Sequence, residues 1–338
     1  MTFQHVAIDA VVHVDAPVRL RSAEIVRRLQ PALDRLEVRG DLLEAVAGIR
    51  ERRVWDGPMP AAEAATLAGR KALAVTSAPR ERIGVLINTS VSRDYVEPST
   101  AAVVHGNLEL ADTCHNFDVG NACLAFMTGM DIAARMIEHG VIEYALVVDG
   151  ETSNEITERT IERLNAPAVT LAQFHQEFAS LTLGSGAAAM VVGHQDLLPN
   201  GHRYLGGVTR AATEFAGLCR GTMDRMVTDT RTLLDQGLKL AARTFQDAAG
   251  ALGWAGADLD EFAIHQVSKV HTDALVGLLG IDPAKVLTIF PEYGNIGPAS
   301  VPVALSKLAE SGRLRRGSRV GLLGIGSGLN CSMTEVVW

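Results

Sequence analysis

The chain has 338 residues, of which 47% are hydrophobic and 21% charged, and this excludes a disordered, collagen-like or coiled-coil protein. Its 31 basic and 39 acidic residues give a net charge of −8, without the basic balance typical of nucleic-acid binding. Charge appears early at the N-terminus, and no run of 18 uncharged apolar residues occurs. We therefore expect no signal peptide and no membrane span, and a reduced cytoplasmic location for the four cysteines.

Short apolar runs alternate with amphipathic stretches along the chain. The runs predict strands over 83–90, 144–151, 187–193, 262–268, 286–294 and 319–328. The amphipathic stretches predict helices over 61–75, 121–139, 232–252 and 299–311. Such alternation indicates an α/β protein with buried, mostly parallel sheets.

The two halves of the chain show the same order of elements. Each half reads helix, strand, connection, helix, strand, with similar spacings. This pattern predicts a duplicated α/β unit. Chance is the alternative, because any α/β protein shows some alternation.

Cys123 is the first candidate for chemistry. The apolar residues that follow it recur at helical spacing, which places the thiol at or near a helix start. Unpaired N–H groups and the positive end of the helix dipole favour a thiolate there and predict a lowered pKa. The alternative is a small buried hydrophobe, and we prefer that interpretation for Cys114, Cys219 and Cys331.

His265 closes an apolar strand. A polar residue in that place faces the cleft at the carboxyl end of the strand, where α/β folds bind ligands. A satisfied structural histidine is the alternative. His271 follows six residues later, but no third ligand accompanies the pair, so we expect no metal site.

Asn295 occupies the place in the second half that Cys123 occupies in the first. Gly294 and Gly297 flank it, and a predicted helix follows. An amide at a helix start indicates by itself only a cap or a turn. Its correspondence to the thiol favours a functional role.

A glycine-rich turn, GIGSGLN (324–330), follows the last predicted apolar strand. It does not match the G-x-G-x-x-G pattern, and no acidic residue follows at the required distance, which disfavours a dinucleotide site. Glycines allow backbone N–H groups to approach a ligand closely. The turn fits better as the donor of one N–H to an oxyanion.

Six segments together carry a family resemblance. They are GIRERRVW (48–55), DVGNACLAF (118–126), LGSGAAAMVVG (183–193), IHQVSKVH (264–271), YGNIGPASVPVAL (293–305) and LLGIGSGL (322–329). In this order they resemble the thiolase-superfamily condensing enzymes of the ketoacyl-carrier-protein synthase III type. The resemblance implies an α/β, thiolase-like duplicated fold, layered αβαβα with two mixed sheets. It also implies an N-terminal half over 1–200 and a C-terminal half over 201–338.

The same resemblance implies roles for the candidate residues. Cys123 would be the nucleophile, and His265 and Asn295 would stabilise the enolate or oxyanion. The backbone N–H groups of Cys123 and Ser327 would be the oxyanion donors. Family members often have glycine where Ser327 stands, a change that a backbone donor tolerates.

Glu97 lies in the segment DYVEPSTA (94–101). Its position resembles that of the glutamate base of hydroxymethylglutaryl-CoA synthase and of the acyl-CoA condensing enzymes of olefin biosynthesis. In the latter the glutamate reaches the neighbouring subunit's site, so the resemblance implies a homodimer. A solvated loop acid is the alternative. The stretch 16–43 is also most similar to the olefin-biosynthesis enzymes.

The implied activity is an acyl transfer. Two long-chain fatty acyl-CoAs would be joined head to head by non-decarboxylative Claisen condensation to a 2-alkyl-3-ketoalkanoic acid, with no cofactor and no metal. The implied partners are the acyl-CoA substrates, a second copy of the chain and downstream olefin-pathway enzymes. The Met- and Phe-bearing segments 123–136 and 170–183 are candidates for the walls of alkyl tunnels, with core packing as the alternative.

Three other functions remain open at the level of sequence. The first is a decarboxylating 3-ketoacyl-carrier-protein synthase III with a malonyl donor. The second is a cysteine hydrolase, because the order Cys, His, Asn also occurs in papain-like proteases. The third is a non-catalytic scaffold of the same fold.

Overall fold

A computed structural model describes residues 2–222, 224–254 and 258–338. The strands are β1 (Val6–Asp15), β2 (Val18–Arg21), β3 (Glu51–Val54), β4 (Ile83–Asn88), β5 (His115–Asp118), β6 (Tyr144–Glu151), β7 (Gly186–His194), β8 (His202–Ala211), β9 (Cys219–Gly221), β10 (Met226–Thr228), β11 (Glu261–Ile264), β12 (Arg319–Gly326) and β13 (Asn330–Val337). The α-helices are α1 (Ser22–Leu36), α2 (Ala61–Val75), α3 (Thr100–Asn107), α4 (Ala125–Glu138), α5 (Asn154–Asn165), α6 (Leu171–Glu177), α7 (Thr230–Leu252), α8 (Lys269–Leu279), α9 (Phe290–Tyr293) and α10 (Ser300–Glu310).

The strand order shows the duplication directly. In the first half the order is β5-β4-β6-β7-β1, and in the second it is β11-β12-β13-β8. A parallel bridge from Phe262 to Val286 stands in the second half where β5 stands in the first. In the first half β4 and β6 are parallel neighbours, and the next two pairings, β6–β7 and β7–β1, are antiparallel. In the second half β11 and β12 are parallel, and β12–β13 and β13–β8 are antiparallel. The repeated order of elements in the sequence therefore reflects a repeated topology.

The two mixed sheets expected from the sequence are joined edge to edge. β1 and β8 pair antiparallel at Ala7–Arg203 and Ile8–His202. This short contact makes one nine-stranded sheet of the described strands. Because β1 and β8 are the equivalent strands of the two halves, the join lies on the axis that relates them.

Each half of the sheet is covered by helices on both faces, and the central helices lie between the two halves. The three helix layers and the two halves of the sheet make five layers. Along β6, Ala145 and Val147 pack into a central core with α4 and α10, whereas Leu146 and Val148 face α2 and α3. A third core places α7 and α8 on the outer face of the second half. Since successive residues of a strand point to opposite faces, a strand covered on both sides is apolar throughout. The order of layers is αβαβα, as the family resemblance implies.

The prediction of mostly parallel sheets is wrong, because three strand pairings of the described nine-stranded sheet are parallel and five are antiparallel. Most predicted elements lie within a few residues of the observed ones, but 286–294 is wrong as a strand. Val286 makes a single bridge, and the chain then enters α9, with Pro291 in its first turn. Proline is suited to the start of a helix because its missing N–H would have no partner there. In the part of the chain that the structure describes, no helix is both long and apolar enough to span a bilayer.

Candidate active site

The duplication brings Cys123, His265 and Asn295 to one place. Cys123 follows β5 and precedes α4, Asn295 lies in the equivalent stretch before α10, and His265 follows β11 directly. All three line a single chamber of about 1580 Å³. The structure thus brings together the three residues that the sequence singles out from its two halves.

The thiol stands on a strained turn. Cys123 is in a 3-10 turn over Ala122–Leu124, and α4 begins at the next residue. The residue before it, Ala122, has a φ of +45°, in the left-handed region that costs an alanine roughly 1–2 kcal/mol. Such strain persists only where the surrounding structure enforces it, and it clusters at functional sites.

The predicted thiolate is wrong for this structure. Cys123 is partly open to the chamber, but protein surrounds its sulfur. Burial raises the pKa of the Cys123 thiol to about 12, and the neighbouring acidic groups Cys219 and Glu151 act in the same direction. The helix start does not overcome this loss of water, because desolvation opposes the charged form of a buried group. Cys123 is therefore a protonated thiol at neutral pH.

His265 is a neutral imidazole. It is 6% exposed, and its backbone N–H donates to Leu323 O at 2.8 Å, which fixes it beside β12. Burial lowers the pKa of His265 to about 4, and His271 adds to the effect. Its Nδ1 has no hydrogen-bond partner among the described residues.

The amide of Asn295 is oriented by its own turn. Its Oδ1 accepts from the N–H of Gly297 at 3.0 Å. Its backbone is bonded on both sides, to Thr182 O at 2.8 Å and from Gly184 N at 2.9 Å. With Oδ1 engaged, Nδ2 is the donor that Asn295 presents to a ligand.

The glycine-rich turn packs against the turn that carries Cys123. A Cβ at Gly326 would stand 2.9 Å from Asn121 O and 3.1 Å from Leu124 N, so only glycine permits this approach. Asn330 Nδ2 also donates to Asn121 Oδ1 at 2.8 Å. Ser327, next in the chain, lines the chamber with Cys123.

Comparisons with known proteins agree with this geometry. Residues 117–209 match the family 3-oxoacyl-(acyl-carrier-protein) synthase III, and residues 250–338 match its C-terminal part. Over 338 residues the chain is 62% identical to an acyl-CoA:acyl-CoA alkyltransferase of Xanthomonas campestris pv. campestris, and all of both chains is covered. The chain belongs to the synthase III family of thiolase-superfamily condensing enzymes.

Two further comparisons concern a ketoacyl synthase and a solved structure. A beta-ketoacyl-(acyl-carrier-protein) synthase III of Desulfitobacterium hafniense is 30% identical over 307 residues, which are 86% of this chain and 87% of that one. A crystal structure of a cysteine-to-serine variant of Xanthomonas campestris OleA, with bound lauric acid and lauroyl-CoA, superposes with a TM-score of 0.97. It is 61% identical and covers 99% of this chain and 100% of that one.

Glu97 lies outside the chamber of its own chain in this condensing enzyme. It is exposed, next to Val96, which is 98% exposed. The preceding residues of the same segment, among them Ser92 and Tyr95, line the chamber wall. The segment therefore leaves the chamber and presents Glu97 at the surface.

The chamber walls match the expected segments only in part. Of segment 123–136, Phe126, Met127 and Met130 lie in the central core, and Phe174 of segment 170–183 lies in a separate cluster under α1. Ala179 and Leu183 of segment 170–183 do line the chamber. Further apolar wall, which the sequence did not indicate, comes from one face of α7, together with the β9–β10 hairpin. These α7 residues are Leu233, Leu234, Gly237, Leu238 and Ala241.

Two chamber residues escaped the sequence analysis. Cys219, interpreted there as a buried hydrophobe, lines the chamber on β9. Glu151 ends β6 inside the chamber wall, and burial raises the pKa of its carboxyl group to about 7. The run YALVVDGE that contains Glu151 reads as a plain buried strand, and its acidic end is the one available signal. Among the described residues, no group of three or more His, Cys, Asp or Glu side chains is placed to hold a metal ion.

Proposed function

We propose that this protein is an acyl-CoA:acyl-CoA alkyltransferase of long-chain olefin biosynthesis. It joins two fatty acyl-CoAs by non-decarboxylative head-to-head Claisen condensation, and the product is a 2-alkyl-3-ketoalkanoic acid. The observation that carries the proposal is the single chamber shared by Cys123, His265 and Asn295. The chain that forms it matches an enzyme of this name over its whole length.

The first half-reaction charges Cys123. Its sulfur attacks the thioester carbonyl of one acyl-CoA, the new C–S bond forms, and the bond to CoA breaks. CoA departs as the thiol with the proton that Cys123 gives up. The N–H groups of Cys123 and Ser327 stabilise the oxyanion, and one such donor is typically worth roughly 3 kcal/mol of barrier.

The second half-reaction forms the carbon–carbon bond. Glu97 removes the α-proton of the second acyl-CoA, and His265 and Asn295 donate hydrogen bonds to the enolate oxygen. A neutral imidazole suits this role, because it is a fixed dipole directed at charge that develops in the transition state. The carbanion attacks the acyl-cysteine, the C–S bond breaks, and Cys123 recovers a proton from Glu97. Addition of water to the remaining thioester releases the acid.

The proposal includes the assembly and its setting. The exposed position of Glu97 supports action in the chamber of a second copy, and therefore a homodimer of two-part chains divided near residue 200. The proposal includes a cytoplasmic location, because its acyl-CoA substrates are made there. Enzymes that process a β-keto acid would consume its product.

Product analysis with two unbranched long-chain acyl-CoAs and no malonyl donor tests the function. We expect one new ketoacid that carries both chains, and two equivalents of free CoA. The variant Cys123→Ala should form no acyl-enzyme by mass spectrometry. The variant Glu97→Ala should still release a burst of CoA but form no carbon–carbon bond.

The same assay separates the competing functions. Product that appears only with a malonyl donor, together with carbon dioxide, would indicate a ketoacyl synthase. This is the second candidate, because the chain is 30% identical to the Desulfitobacterium synthase. Free fatty acid without a new carbon–carbon bond would indicate a cysteine hydrolase. If no acyl-enzyme forms that prior treatment with iodoacetamide would prevent, the protein is a non-catalytic scaffold.

A further inference from the structure

The carboxyl group of Glu151 lies between two parts of the site. It is 7% exposed and forms part of the chamber wall. On one side is the turn that follows Asn295, where a Cβ on Gly297 would stand 3.6 Å from the Glu151 carboxyl carbon. The backbone of Glu151 is fixed as well, because Trp55 Nε1 donates to its carbonyl oxygen at 3.0 Å.

On its other side Glu151 holds the segment that leads to Glu97. Its Oε1 accepts from the N–H of Val91 at 2.6 Å. Its Oε2 accepts from the hydroxyl of Ser92 at 2.8 Å and from the N–H of Ser92 at 3.3 Å. One carboxylate thus binds both backbone donors at the beginning of segment 91–97.

The rest of that segment has few anchors. The carboxylate of Asp94 accepts from the N–H groups of Ala61 and Ala62 at 2.7 and 2.9 Å, where α2 begins. Beyond it the chain is exposed as far as Glu97. After Glu97, the carboxylate of Asp118 accepts from the N–H groups of Thr100 and Ala101 at 3.0 and 2.8 Å, where α3 begins. Before Glu97 the segment is held by the carboxylates of Asp94 and Glu151, and Glu151 belongs to the wall of the chamber.

We infer that Glu151 is a positioning residue for condensation: it ties segment 91–97, which presents Glu97, to the chamber that holds Cys123. The inference rests on the proposed function, in which Glu97 is the base. Acylation needs Cys123 and the oxyanion donors, and none of these is held by Glu151. Condensation needs Glu97 at the α-carbon, and displacement of a reacting group by about 1 Å can cost a hundredfold in rate.

Measuring the two half-reactions separately tests the inference. In single-turnover assays, the variants Glu151→Ala and Ser92→Ala should release the burst of CoA at least as fast as the wild type. With Glu151→Ala, the loss of a buried negative charge near Cys123 also favours the thiolate. Condensation should fall about a hundredfold in Glu151→Ala and by a smaller factor in Ser92→Ala, which keeps the carboxylate and the backbone bonds.

A matched control and a second readout complete the test. The variant Glu143→Gln removes an exposed acid that pairs with Arg82 just before β6 and should change neither step. Amide hydrogen exchange of a peptide covering 89–99 should be faster in Glu151→Ala and unchanged in Glu143→Gln. If Glu151→Ala does not fold, Ser92→Ala still carries the comparison.

Two results would overturn the inference. One is an equal loss of acylation and condensation, which would place Glu151 with Cys123. The other is unchanged condensation in both Glu151→Ala and Ser92→Ala. Failure of the proposed function looks different, because the wild type would then form no ketoacid from two acyl-CoAs. Failure of Glu97 as the base would leave Glu97→Ala condensing at the wild-type rate.

Discussion

Cys123 keeps its proton at neutral pH, and in the proposed mechanism this determines how the nucleophile forms. Burial and the nearby negative charges outweigh the effect of the helix start. His265 is buried and uncharged, so no imidazolium stands ready to stabilise a thiolate. In the proposed mechanism, the negative charge therefore appears only when the sulfur attacks, at the moment when the backbone donors bind the oxyanion. This arrangement protects the resting thiol from oxidation and alkylation.

The rate of alkylation of Cys123 should follow this pKa. With a pKa of about 12, the thiolate fraction rises about tenfold for each pH unit between 7 and 9, because the thiolate is the reactive form. The measurement is the iodoacetamide rate at Cys123 by mass spectrometry, in a Cys219→Ala background that removes the second chamber thiol. A plateau that begins near pH 7 would show a lowered pKa, as the sequence alone predicts.

Residue type and position were enough to find some of the site but not all of it. Cys123 and Asn295 stand out because the repeat aligns them, and His265 because a polar side chain closes an apolar strand. The left-handed backbone of Ala122 has no signal, since alanine is not the residue that such a φ favours. Glu151 was hidden because an acid at a strand end reads as its solvated terminus.

The turn after β12 packs directly against the turn before α4, and a substitution at Gly326 should push the two turns apart. The variant Gly326→Ala places a methyl group against backbone atoms of Asn121 and Leu124 that have no room to move. We expect it to shift Ser327 away from the oxyanion and to slow the CoA burst about a hundredfold.

The control for this variant is Gly250→Ala on α7. A Cβ there meets no atom within 4 Å, and alanine favours a helix over glycine. Its burst should be unchanged and its melting temperature equal or higher. A wild-type burst in Gly326→Ala would remove the argument for a backbone donor at Ser327.

The hydrophobic pattern of the sequence predicts the regular helices and strands, whereas tertiary contacts decide where they end. The run 144–151 matches β6 in full, and 61–75 matches α2, because each buries residues at its own period. The run 286–294 is also apolar, but its residues pack as a bridge and a short helix around the site. Pattern alone does not distinguish a strand from another buried segment of this length.

At the scale of the whole molecule, duplication explains why the site is divided between halves. Equivalent stretches before α4 and α10 meet near the axis, so one presents a thiol and the other an amide. The sequence showed the repeat, but it could not show the join between β1 and β8, which rests on two residue pairs. Nor could it show which chamber Glu97 serves, since the segment that carries it points outward.

Mixed dimers should decide whose chamber Glu97 serves. Suppose one protomer carries Cys123→Ala and its partner carries Glu97→Ala. If Glu97 acts across the interface, the intact thiol of the second protomer meets the intact glutamate of the first. One of the two sites in a symmetric pair then works. Purified heterodimer should condense acyl-CoAs at about half the wild-type rate per dimer, while each parent homodimer is inactive. An inactive heterodimer that still releases a burst of CoA would show that Glu97 serves the chamber of its own chain.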